Sequence, residues 1–124
     1  MLHNDVFDSG LSVLDTLAEN LYLCSQDPAT FAEAQTTYKL GTKAIAAGDI
    51  AAPTDRSAGG REVVVAAITD GTVNTTETAT HYALTDDSTS KLLATGVLAD
   101  GGQAVTSGNV FTLSSFAIGI PDPA

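Results

Sequence analysis

Basic residues are scarce in this chain, cysteine is nearly absent and tryptophan is missing altogether. Five Lys and Arg stand against fifteen Asp and Glu, a formal net charge of −10. Nucleic-acid binders draw most of their affinity from cations that neutralise phosphates, so this balance excludes DNA, RNA and anionic lipid as expected partners. The single cysteine, Cys24, rules out an intramolecular disulfide framework and a thiolate metal site. The uncharged stretch 101–121 is long enough to cross a bilayer. It carries Gln103, Asn109, Thr106, Thr112 and three serines, however, and is too polar to sit in hydrocarbon. The acidic start, Met1-Leu2-His3-Asn4-Asp5, lacks the cationic region of a secretory leader, so a soluble protein made inside a cell is the expectation.

What is present suits one packed domain over residues 1–124. The chain is 44% hydrophobic and only 16% charged, too apolar for disorder and too lightly charged for a long solvated helix. Val6, Val13, Leu14, Leu17 and Leu21 recur at helical spacing, which predicts an N-terminal helix over about residues 5–19. Residues 20–47 read as the first strands. A strand-like run, Leu21 to Ser25, closes at Asp27-Pro28; one helical turn follows over Thr30–Ala34, and a strand over Thr36–Ile45. The Gly- and Pro-containing stretch 48–60 reads as a long loop, either an interaction arm or a mobile segment.

From Arg61 onward the pattern is β. Strands are predicted over Arg61–Thr69, Thr72–Thr76, Thr78–Thr85, Lys91–Leu98, Gln103–Thr106 and Asn109–Ile120. Asp70-Gly71 and Ser107-Gly108 read as hairpin turns, and Asp86–Ser90 and Asp100–Gly102 as further turns. Alternation places Thr80, Tyr82 and Leu84 on one face and His81 and Ala83 on the other. In the last strand Phe111 and Leu113 share one parity while Phe116, Ile118 and Ile120 share the other, so a β-bulge is expected near Ser114-Ser115. Short strands with frequent turns, and no βαβ alternation, predict a mainly β fold. An antiparallel β-sandwich or small barrel preceded by one α-helix is the expected architecture.

Candidate chemistry is thin. Nucleophilic catalysis needs Ser, Cys or Thr beside a base, and the bases available are His3, at the terminus, and His81, in mid-strand. Cys24 lies in an apolar run, where a small buried thiol is the simpler account. Arg56-Ser57-Ala58-Gly59-Gly60-Arg61 has the glycines of a phosphate cradle, yet it leads into a strand and has no Lys after its glycines. It reads as a turn whose arginines pair acids. Asp86, Asp87 and Asp100 offer loop oxygens to a hard cation such as Ca²⁺, without EF-hand spacing, so solvated turn acids are the expectation. No catalytic, cofactor-binding or metal site is therefore assigned, and a non-enzymatic role follows as the expectation.

The second half also carries a recognisable order of segments. Thr78-Ala79-Thr80-His81-Tyr82-Ala83-Leu84-Thr85-Asp86 is followed by Lys91-Leu92-Leu93-Ala94-Thr95, then by Gln103-Ala104-Val105-Thr106-Ser107-Gly108-Asn109 and Phe111-Thr112-Leu113. This series resembles that of small structural proteins of tailed-bacteriophage virions, and the likeness extends over about residues 20–123. It implies a virion component assembled in the host cytoplasm, with a capsid decoration (cement) protein as its leading form. The implied partners are the major capsid protein or other virion proteins, together with further copies of the chain. A trimer would match the local three-fold sites of an icosahedral shell. The alternative is a head-fibre, neck or tail-tip module that recognises a receptor or glycan, against which the scarcity of aromatic residues weighs. A small enzyme or a chaperone-like role is the remaining reading.

Overall fold

The computed structural model describes residues 4–46 and 48–121. Its fold is mainly β, with one N-terminal helix and antiparallel sheets. Helix α1 (Asn4–Leu17) leads into β1 (Asn20–Cys24) and, after a π-helical turn at Glu33–Thr37, into β2 (Lys39–Ala44). Then come β3 (Thr54–Asp55), β4 (Arg61–Val65), β5 (Ile68–Val73), β6 (Glu77–Ala79), β7 (His81–Asp86) and β8 (Lys91–Val97). A 3₁₀ turn at Ala99–Gly101 precedes β9 (Gln103–Val105), β10 (Val110–Leu113) and β11 (Phe116–Ile120).

These strands form a six-stranded sheet in the order β10-β5-β2-β1-β7-β8, a three-stranded sheet β11-β4-β3 and a ribbon β6-β9. One apolar core joins them. Leu21, Leu23, Tyr82 and Leu84 point into it from the large sheet, Val63 and Val65 from the small one, and Leu11 and Leu14 from α1. Each such side chain contributes about 1.5–3 kcal/mol on burial. A second, smaller cluster of Tyr22, Cys24, Ala34 and Ala83 lies on the opposite face of the large sheet, with Tyr38 and Leu92 packed against it. Central strands β1 and β7 are thus buried on both faces, while Tyr82 and Leu84 still face away from Ala83 as the alternation predicts.

Several local expectations are corrected. In α1 it is Leu11, 3% exposed, that fills the stripe beside Leu14, and Val13 is 38% exposed. The helical turn lies at Glu33–Thr37, so Thr36 and Thr37 belong to it and not to β2. Its start is fixed by Thr30 and Glu33: the Glu33 N–H donates to Thr30 Oγ1 and Glu33 Oε1 accepts from the Ala29 N–H, a reciprocal cap. Segment 48–60 does not hang free, because Ile50 is buried and bridges Val65, and β3 pairs with β4.

Asp70-Gly71 is not a turn but lies inside β5. Gly71 is there for space, since a Cβ would fall within the Phe111 ring on the adjoining strand. The predicted strand Arg61–Thr69 is consequently two strands, β4 and β5, in different sheets. Ser107-Gly108 does turn the chain, yet β9 and β10 do not pair with each other: β9 takes β6 and β10 takes β5. The parity change at Ser114-Ser115 is real. Its cause is a crossing from the large sheet to the small one, which lets Phe111, Leu113, Phe116, Ile118 and Ile120 all reach one core.

Candidate functional site

Strands β6 and β7 run on from one another, and β8 and β9 run back along them. His81 pairs with Val97 and Ala79 with Gln103, so Leu98–Gly102 bulges out opposite Thr80 alone. The Leu98 N–H donates to Thr80 O, which anchors the start of the excursion. Gly102 closes it at φ 104°, where a Cβ would collide with the Ala79 carbonyl. Across from this bulge stands the Ser114-Ser115 crossing. The Gln103 side-chain amide donates to Thr112 O at 3.0 Å and ties the two together.

Between them is a cavity of about 300 Å³. Leu98 and Gln103 form one wall, Leu113 and Ser115 the other, and Tyr82 and Phe116 the aromatic part of its lining. The two rings lie 4.5 Å apart at a tilt of 43°. None of the lining residues carries a formal charge, on a chain whose net charge is −10. Tyr82 is 9% exposed. Its ring crosses over Gly96 of β8, where a Cβ would sit 2.5 Å from the hydroxyl oxygen. The hydroxyl therefore emerges at the outer edge of the large sheet, and burial raises its pKa so that it keeps its proton. Among the described residues it has no hydrogen-bond partner.

The residues singled out from sequence lie elsewhere. Cys24 and His81 are register partners across β1 and β7, a juxtaposition that their separation in sequence hides. The two do not hydrogen-bond. The thiol donates to Ala34 O at 3.8 Å, and burial, with Asp27 nearby, pushes its pKa up to about 12. That is the opposite of an activated nucleophile. Thr80 Oγ1 donates its only proton to Ser25 O, so its contact with His81 Nδ1 at 2.8 Å is one in which the imidazole donates. Arg61 Nη1 meets Asp55 at 2.7 Å, the acid pairing expected of it, whereas Arg56 donates to the Gly59 carbonyl within the turn and not to an acid.

Asp86 and Asp87 hold the β7–β8 turn. Tyr22 donates its hydroxyl to Asp87 Oδ2 at 2.6 Å, Thr85 donates to Asp87 Oδ1, and Thr89 donates to Asp86 Oδ2 at 2.7 Å. Three of their four oxygens accept from protein hydroxyls, and no group of three or more metal-ligating side chains occurs among the described residues. His3 and the side chain of Asp100 lie outside the described residues. The cavity was not legible in sequence, because its walls come from strands far apart along the chain. The turn read at Asp100–Gly102, which falls within one of its walls, was the one available signal.

Comparison with known proteins yields no match: no family model, no curated protein and no solved structure matches the chain.

Proposed function

We propose that the chain is a non-enzymatic structural component of a tailed-phage virion, binding the major capsid protein lattice as a decoration protein. The observation that carries this reading is the order of segments over residues 20–123, which resembles that of small virion proteins. The physical character of the molecule is compatible with it. A strongly anionic chain keeps clear of packaged nucleic acid during assembly. The large sheet ends in two edge strands, β8 and β10, and each exposes a valine there: Val97 at 71% and Val110 at 67%. Unpaired strand edges are ready templates for contact with other protein. On a shell, a modest contact repeated over many copies suffices.

The test is to purify phage particles from cells that make this protein and count its copies against the major shell protein. A copy number proportional to the shell subunits is the expected result. A few copies per particle would move the protein to the neck or tail tip, and absence from particles would overturn the reading.

A further inference from the structure

We propose that residues 51–60 are a processing segment, in which a protease of trypsin-like specificity cuts the Arg56–Ser57 bond and leaves a folded two-chain protein. The proposal is independent of the virion reading above.

Cleavage needs several residues on each side of the cut in extended form, so a folded chain is cut where it opens locally at low cost. Segment 51–60 meets that condition. None of its ten residues is buried. It runs between two anchors, the buried Ile50 and strand β4, whose Val63 and Val65 are also buried. Strand β3 within it is an edge of the small sheet and pairs only Thr54 with Glu62 and Asp55 with Arg61. Outside that pairing the Ala51 N–H donates to Val64 O, Arg61 donates to Pro53 O and to Asp55, and the Arg56 stem lies across Gly119. No side chain of the segment belongs to the core, so these contacts can break without exposing apolar surface from it. At the tip Ser57 and Ala58 are exposed, followed by Gly59 and Gly60. Exposed loop tips of small and polar residues are where nicking concentrates.

Arg56 stands at the middle of the segment, and it sets the class of protease. The other basic residues are Lys39, Lys43, Arg61 and Lys91. Lys39 and Lys43 lie in β2, an inner strand of the large sheet. Arg61 opens β4, so a cut after it would draw Val63 and Val65 out of the core. Lys91 opens β8, which pairs with β7 along its length and packs Leu93 and Ala94 against the core. Only the bond after Arg56 is reached with every core side chain in place. As its C–N bond breaks, water supplies the hydroxyl to the Arg56 carbonyl carbon and the proton to the Ser57 nitrogen. The products are residues 1–56 and 57–124.

Topology then keeps the products together. The first carries α1, β1, β2 and β3, and the second carries β4 to β11. In the large sheet β2 and β1 stand between β5 and β7, so the first product is inserted into the middle of a sheet whose other strands belong to the second. Strand β1 pairs with β7 from Asn20 to Cys24, and Leu21, Leu23, Leu40 and Ile50 share one core with Val63, Leu84 and Phe111. Burial of that apolar surface holds the two parts without a peptide bond between them.

The experiment digests the full native chain with a trace of trypsin and follows it by intact mass and by gel filtration. Products 1–56 and 57–124 are expected first, eluting together at the volume of the uncut chain and separating only in denaturant. An elastase-type protease, which prefers small residues, is expected to cut within the same segment. Arg56→Gln is expected to lose the early trypsin cut while keeping the elastase cut and the unfolding midpoint, and Arg56→Lys to keep all three.

The proposal is overturned if trypsin cuts first after another basic residue, or if the intact chain is lost only as fast as it unfolds globally. A first elastase cut outside residues 51–60 overturns the local opening. Products that part on gel filtration without denaturant overturn the two-chain form.

Discussion

Asp87 collects hydroxyls from two strands, Tyr22 on β1 and Thr85 on β7, and so pins the β7–β8 turn to the centre of the large sheet. Burial opposes the charge on this carboxylate, yet the bonds from Thr85, Tyr22 and Asn20 outweigh it and hold its pKa below the ordinary range. Asp86 beside it is also held low, chiefly by the Thr89 hydroxyl and then by Glu19. A carboxyl whose folded pKa lies below its unfolded value of about 3.9 stabilises the fold above that pH and loses the contribution as pH falls through the folded value. Asp87→Asn is therefore expected to cost about 1 kcal/mol near neutrality, given the partial exposure of the site. It should also flatten the loss of stability on acidification, read from urea midpoints at about pH 7 and about pH 3. An acid limb identical to the parent's would mean that Asp87 is not its source. Cys24 gives a second test: with its thiol buried and pushed up to about 12, it is expected to react with a disulfide reagent only as fast as the chain unfolds. At Gly71 a methyl group would displace the Phe111 ring, so Gly71→Ala is expected to lower stability by about 1–3 kcal/mol in denaturant titration. A turn glycine at the same place would lose far less.

Helix α1 shows how an element can be legible while its facing is not. It packs against β4 and β7 and so spans the two sheets. Gly10 lies beside Ile120, at the opposite end of β11 from Phe116 and the cavity. The apolar spacing announced the helix, but Leu11 and Val13 both fit a stripe drawn on one helix alone, and only the sheets decide between them. Leu11→Ala is accordingly expected to cost about 2–4 kcal/mol, and Val13→Ala under 1 kcal/mol, by thermal or urea denaturation. Similar costs at both positions would place the helix wrongly. The same distinction runs through the strands. Alternation in Tyr82-Ala83-Leu84 foretold two faces because it depends on nearest neighbours alone. Asp70-Gly71 misled because a glycine that makes room for a distant ring and a glycine that makes a turn are the same letter. The parity change at Ser114-Ser115 was visible as a pattern, but a bulge and a change of sheet both produce it. The site lay furthest from view. Tyr82, Leu98 and Phe116 are brought together only by the crossing of the chain between sheets, and no local pattern encodes that.

At the scale of the whole molecule, charge and architecture act in different places. Fifteen acids against five bases make the chain repel itself, while ion pairs such as Lys43–Asp70 and Arg61–Asp55 are partly solvent-exposed and worth little. The core beneath is neutral. Added salt should therefore separate the two effects. Raising ionic strength from ~0.01 M to ~0.15 M shortens the screening length from ~30 Å to ~8 Å. Relief of self-repulsion is expected to raise stability by on the order of 1 kcal/mol, or about 3–6 °C in the thermal midpoint for a domain of this size. A midpoint that falls with salt would mean that surface ion pairs hold the fold together.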